Sequence, residues 1–270
     1  MTFIDTHCHI CDKAFAGEEE AYISRAKEAG VEIMLQPDVD SLERKAMFDL
    51  VDRHPGVLYP MLGLYPGSVD KEWRKEIDRM LEYSDRPVVA IGEIGLDYYY
   101  DPDGAAAQRA LFEKMLALAL ALRLPVCVHS RDADSDTLAA LRDFSNHWKK
   151  SFQSLEKSVP PGILHCYTRG PEMAEELLDL GFCISFSGIL SFNNAGPLRD
   201  VASRIPLDRL LVETDSPYLA PKPYRGKTCE PMYTARTGEV LAECTGIPPD
   251  TLADATTANA HRVYGGPFQP

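Results

Sequence analysis

Residues 1–10, MTFIDTHCHI, form a short apolar run that carries Asp5, His7 and His9 at alternate positions. On a β-strand the spacing i, i+2, i+4 sends all three side chains to one face. Polar groups this costly to bury gather on a core strand only where they have partners. The run is therefore expected to deliver a polar site at its end, with Cys8 pointing away from it.

Seven further runs of the same kind follow: VEIMLQP (31–37), VLYPMLGL (57–64), PVVAIGEIGL (87–96), LPVCVHSRD (124–132), GILHCY (162–167), FCISFSGIL (182–190) and LLVETDSP (210–217). Helical patterns separate them near 18–29, 41–53, 71–82, 105–122, 134–150, 171–180 and 196–204, and two more follow the last run at 232–245 and 248–264. The clearest is AAAQRALFEKMLALALAL (105–122), rich in strong helix formers with a wide apolar face. Strand–helix alternation is the signature of βα units on a parallel sheet. Eight units in about 250 residues match a (β/α)8 TIM-like barrel, with a doubly wound open sheet as the alternative. No linker, composition shift or repeat divides residues 1–270, so a single domain is expected.

The C-terminal ends of the runs bear His7 and His9 (first), Glu93 (fourth), His129 (fifth), His165 (sixth) and Asp215 (eighth). In a barrel these ends meet in one mouth, where such enzymes place their active sites. Four imidazoles and two carboxylates exceed one four-coordinate ion and suit two divalent ions sharing a carboxylate, most simply Glu93. Mixed nitrogen and oxygen donors suit Zn²⁺ or Mn²⁺ better than Mg²⁺, and the spacing does not choose among them. Asp5, one alternation deeper, either orients a ligand imidazole or makes a hydrogen bond at the strand start. His54, His147 and His261 fall in helix-like segments away from strand ends and read as structural.

Composition narrows the partners. Asp and Glu outnumber Lys and Arg by 41 to 28, a net charge of −13, which opposes a sequence-independent grip on phosphate backbones. The seven cysteines lack zinc-finger spacing and suit reduced thiols in a cytoplasm; Cys8 and Cys11 alone make a CxxC. No signal-like apolar segment precedes the first run, and the longest apolar stretch is broken by Arg123 and Pro125, so a soluble cytoplasmic protein without membrane contact is expected. No helical stripe or edge strand stands out as an unpaired apolar interface, so a monomer is expected.

The blocks DTHCHI, GEIGLDYYY, PVCVHSRDA, GILHCYTRG, ISFSGILSFNNA, LLVETDSPYLAPKPYRGKTCEP and TTANAHRVYG together resemble the TatD-type metal-dependent deoxyribonucleases of the amidohydrolase-like barrel superfamily. The resemblance spans nearly the whole chain. It implies a TIM-like barrel, two divalent ions held by His7, His9, Glu93, His129, His165 and Asp215, and hydrolysis of DNA phosphodiester bonds, commonly from the 3′ ends of single strands. Two positions depart from the family pattern: Tyr65 stands where a histidine is common, and Cys229 where an asparagine is.

Hydrolysis at such a centre needs water ionised by two cations, with Asp215 as ligand and proton acceptor and Glu93 as the shared carboxylate. Arg131, Arg225, Lys227 and Tyr65 are candidate phosphate contacts, and Tyr98, Tyr99 and Tyr100 a candidate stacking surface for an unpaired base. Thr168 and Ser216, close to ligands, are weaker candidates. Two other classes compete. Similar barrels hydrolyse small C–N or carboxyl-ester substrates, many with a modified lysine where this chain has Glu93; a barrel that had lost its chemistry would be expected to lose ligands first.

Overall fold

The computed structural model describes residues 1–39, 41–69, 72–152 and 159–265. Eight parallel strands run in the order of the sequence: β1 (Phe3–Asp5), β2 (Val31–Pro37), β3 (Leu58–Leu62), β4 (Ala90–Asp97), β5 (Val126–Arg131), β6 (Gly162–Leu164), β7 (Cys183–Phe186) and β8 (Leu210–Val212). The helices between and after them are α1 (Glu19–Glu28), α2 (Ser41–Arg53), α3 (Trp73–Leu81), α4 (Ala105–Leu122), α5 (Asp134–Ser151), α6 (Pro171–Leu180), α7 (Gly196–Ala202), α8 (Thr234–Thr245) and α9 (Pro249–Tyr264). This is the expected (β/α)8 barrel, not the open sheet. The expected start of the third helix, Lys71, lies outside the described residues.

The sheet closes between its first and last strands, beyond their regular portions. Thr6 N donates to Val212 O (3.2 Å), Asp215 N to His7 O (2.9 Å) and His9 N to Ser216 O (2.8 Å), so backbone hydrogen bonds seal the ring. β4, buried along all eight residues, reads as a near-continuous apolar run because helices cover one face and the barrel interior the other.

Two apolar layers result. Ile4, Leu35, Met61, Val89, Cys127, Ile163, Cys183 and Leu211 fill the barrel, and Ala260, Val263 and Tyr264 of α9 complete that inner cluster. A larger layer between sheet and helices contains Phe3, Met34, Phe112, Trp148 and Phe182. Pro171 opens α6, where its missing N–H costs nothing, and Gly181 ends it at φ 96°, a left-handed conformation that favours glycine. Among the described residues no helix is long and apolar enough to cross a membrane.

Candidate metal centre

The first strand is shorter than its apolar run suggested, and one expectation fails there. β1 ends at Asp5 and the chain bends at Thr6 and His7. Ile4 points into the barrel, whereas Phe3 meets Gly238 of α8 and Asp5 reaches Thr234 of the same helix. After the bend, His7 and His9 face the mouth, so Asp5 does not share their face. Its carboxylate instead accepts from His7 N (3.2 Å), Thr214 N (3.0 Å), Thr214 Oγ1 (2.6 Å) and Thr234 Oγ1 (2.9 Å). Asp5 thus ties the backbones on both sides of the closure together and touches no imidazole.

The six side chains singled out from the sequence meet at this mouth. Glu93 and His129 lie within β4 and β5; His165 and Asp215 lie one and three residues past β6 and β8. Glu93 stands at the centre. Its Oε2 is 3.4 Å from His7 Nε2 and 3.8 Å from His9 Nε2, while its Oε1 is 3.1 Å from His129 Nδ1 and 3.0 Å from His165 Nε2. Asp215 Oδ1 is 3.5 Å from His9 Nε2 and 3.9 Å from His7 Nε2. The two imidazole pairs approach at 3.1 Å (His7 and His9) and 3.4 Å (His129 and His165). Ligands about 2.1 Å from a tetrahedral ion stand about 3.4 Å from one another, so these separations fit a coordination shell on each side of Glu93. The sets His7–His9–Glu93, Glu93–His129–His165 and His7–His165–Asp215 each bring their donor atoms close enough to hold an ion.

Behind the ligands lie partners that the sequence reading missed. Asp97 Oδ2 is 3.1 Å from His129 Nε2 and accepts from Tyr65 Oη (3.0 Å); its Oδ1 accepts from Tyr99 N (3.0 Å) and Tyr100 N (3.1 Å). Glu213 Oε1 is 3.4 Å from His165 Nδ1 and accepts from Cys166 N (2.6 Å). Cys127 Sγ lies 3.3 Å from His7 Nδ1. Such partners fix which ring nitrogen is free to bind metal. Asp97 lies four residues beyond Glu93 and Glu213 two before Asp215, but positive φ at Gly95 and Asp215 breaks the regular alternation there, so spacing alone does not reveal their partners.

Close packing at the centre needs glycine. A Cβ on Gly63 would lie 2.6 Å from Gly92 C and 2.8 Å from Glu93 N. Gly95, at φ 141°, brings β4 so near β5 that a Cβ would fall 1.9 Å from His129 O.

The cluster draws positive charge. Burial opposes ionisation of Glu93, yet His165, His129 and His7 around it hold its carboxyl well below the usual range. Burial likewise works against Asp215, and the hydrogen bond with His9 together with the charges of His7, His165 and His9 outweighs it and lowers its pKa. Despite burial, His165 is pushed well above its ordinary value by Glu93 and Glu213, and His9 and His129 are raised by their carboxylate partners. His7 goes the other way, because burial and the stacked ring of His165, 3.9 Å away, disfavour its charge.

A cleft of about 870 Å³ opens above the cluster, lined by His9, Glu93, His129, His165 and Asp215 together with Tyr65, Arg131, Thr168 and Tyr218. Tyr65 faces it, but its hydroxyl proton is given to Asp97. Arg131 lies on its wall. Arg225 does not: its guanidinium stacks 3.7 Å over Phe192, and neither it nor Lys227 belongs to the described lining. Ser216 is fully buried. Cys229 packs, also fully buried, with Ala220 and Tyr233, and Cys8 lies in the outer core. His54 pairs with Glu20 (2.8 Å) and His147 with the Asp143 carbonyl (2.9 Å), both outside the cleft.

Two nitrogen and carboxylate ligand sets sharing one glutamate, at the mouth of a closed parallel barrel, define a metal-dependent hydrolase. A family model described as TatD related DNase matches residues 4–265. The chain is 39% identical over 268 residues to the metal-dependent hydrolase YcfH of Escherichia coli strain K12, covering 98% of this chain and 96% of that one. With YabD of Bacillus subtilis strain 168, also named a metal-dependent hydrolase, it shares 33% identity, covering 96% and 98%. The crystal structure of YjjV, a TatD homologue from Escherichia coli K12, superposes with a TM-score of 0.87 at 30% identity over 98% of each chain. The chain belongs to the TatD-related DNase family.

Proposed function

We propose that the protein is a deoxyribonuclease that hydrolyses phosphodiester bonds at the 3′ ends of single strands, using two divalent ions, Mg²⁺, Mn²⁺ or Zn²⁺, held by His7, His9, Glu93, His129, His165 and Asp215. The observation that carries this reading is the division of Glu93, with one carboxylate oxygen turned to His7 and His9 and the other to His129 and His165. Bound there, two divalent ions supply the charge that ionises water at neutral pH and offsets charge on a phosphate.

The chain's own groups do the rest. Glu93, kept ionised among the imidazoles, bridges the two halves and brings no proton to the reaction. Asp215 lines the cleft, and its backbone N–H is fixed to His7 O (2.9 Å), so its carboxylate is held where it accepts the proton of the attacking water. Arg131 on the cleft wall donates to a phosphate oxygen. The net charge of −13 favours contacts concentrated at a strand end over a long grip on duplex. Because one chain supplies every ligand, a single-domain monomer carries a complete centre.

The test is a substrate panel on chelated protein re-supplied with each ion: single- and double-stranded oligonucleotides labelled at either end, small amides and lactones. Metal-dependent release of a 3′ label from single strands is expected. Turnover of an amide or lactone without oligonucleotide cleavage would overturn the proposal in favour of C–N or ester hydrolysis.

A further inference from the structure

Tyr99, Tyr100 and Tyr218 are 57%, 69% and 56% exposed, and they are the only exposed aromatic residues among the described ones. All three line the cleft above the ligand cluster. Aromatic rings left in water at a single place mark a surface that binds something flat and apolar.

The rings form two patches, each held in place. Tyr99 and Tyr100 follow β4; their backbone N–H groups are fixed to Asp97 Oδ1, their rings meet edge to face at 5.0 Å, and the Arg131 guanidinium lies 3.8 Å over Tyr99 and 4.7 Å from Tyr100. Tyr218 follows β8; its hydroxyl donates to Asp12 Oδ2 (3.4 Å) and its ring stands edge-on to His9, with centroids 6.5 Å apart. In a barrel ordered β1 to β8, the β4–β5 side lies across the mouth from the β8–β1 side. The first patch therefore flanks the His129 half of the centre and the second the His9 half, with Glu93 between them.

We propose that the two patches are stacking subsites for the two nucleobases on either side of the scissile phosphate: one base on Tyr99 and Tyr100 braced by Arg131, its neighbour on Tyr218. This rests on the phosphodiesterase reading of single strands and adds to it where the two bases of the cleaved step are held. A duplex keeps its base faces covered, so the platforms select single strands without reading sequence, as base stacking on aromatic side chains does. Such selection needs no positively charged groove, in keeping with an acidic chain. Rings fixed before binding also lose little freedom when a base arrives.

The test compares a short single-stranded oligonucleotide with versions carrying an abasic residue at the terminal or the penultimate 3′ position, on wild type, Tyr99→Ala/Tyr100→Ala, Tyr218→Ala and Tyr218→Phe. For wild type, each abasic residue is expected to raise KM about tenfold with kcat little changed. Each alanine variant is expected to raise KM similarly on the intact strand and to lose discrimination at one abasic position only; Tyr218→Phe, which keeps the ring but loses the bond to Asp12, is expected to restore that discrimination with a KM between those of wild type and Tyr218→Ala. Binding of a strand carrying 2-aminopurine at those positions to chelated protein gives a readout independent of turnover: stacking quenches its fluorescence in wild type and not in the matching alanine variant. Equal KM for intact and abasic strands, or alanine variants that keep full discrimination and quenching, would overturn the platforms while leaving the nuclease reading intact. Metal-loaded wild type that cleaves no oligonucleotide would overturn both.

Discussion

Replacing Asp97 by asparagine is expected to damage the metal centre more than replacing it by alanine, although asparagine is the closer match in shape. Asp97 Oδ1 accepts from two backbone amides, Tyr99 N and Tyr100 N, so an asparagine there must keep its oxygen on that side. Its NH₂ group then faces His129 Nε2 and the Tyr65 hydroxyl, where the carboxylate Oδ2 stood at 3.1 and 3.0 Å. His129 must accept at Nε2 and carry its proton on Nδ1, the atom that lies 3.1 Å from Glu93 Oε1 and faces the proposed ion. Holding the binding tautomer against that amide leaves two donors opposed, a cost of about 2 kcal/mol, or about 30-fold in affinity for the ion on the His129 side; loss of such a partner commonly costs 10–100-fold. Alanine imposes no tautomer and is expected to weaken the same ion by a smaller factor. Calorimetric titration with Mn²⁺ or Zn²⁺ would resolve the two binding steps, and ¹⁵N chemical shifts of His129 in chelated protein would report its tautomer. Asp97→Asn that binds both ions as tightly as wild type, or more tightly than Asp97→Ala, would refute the reasoning.

Asp215→Asn is expected to retain at least one ion, seen by metal analysis, while kcat falls 100-fold or more, because the amide cannot accept the water's proton. Gly63→Ala is expected to lower metal affinity at least tenfold together with the thermal midpoint, since its new methyl group meets backbone atoms of Gly92 and Glu93 that cannot move without the bridging carboxylate. Chelated protein is expected to lose stability as pH rises above 6.5: folded His9, His129 and His165 hold protons that the unfolded chain has released at that pH, and buried Asp5, raised to about 7, adds the same sign up to neutrality. His7, lowered instead, contributes no slope there. Because ions displace the same protons, their stabilisation should grow over that range, and melting curves with and without metal from pH 6 to 8.5 would reveal the divergence.

The barrel was legible because its alternation is regular: β-branched runs and helix formers repeat eight times, and helices such as Ala105–Leu122 begin and end where propensity changes. Convergence of the six donor side chains was legible because costly residues recur at equivalent places on separate strands. Asp5 was misplaced because periodicity assumes a straight strand, and the bend at Thr6 and His7 comes with tertiary hydrogen bonds, Thr6 to Val212 and Asp5 to Thr214, that no local pattern encodes. Arg225 was expected near substrate from its loop alone; the direction taken after Lys222 and Pro223, and the stacking on Phe192, depend on packing. Asp97 and Glu213 went unread because a carboxylate beside a ligand looks like any polar strand end until its partner is known. Tyr65 was read by its chemistry, and the neighbour that takes its proton lies 32 residues away.

Closure of the ring between its first and last strands has a consequence for the growing polypeptide. His7 and His9 leave the ribosome before the backbone that fixes them, from Val212 to Ser216, which comes some two hundred residues later. Until that segment emerges and docks, the histidines have neither their final direction nor Asp215 beside them. A nascent or truncated chain therefore lacks the assembled centre, and hydrolytic competence arrives only with completion of the last βα unit.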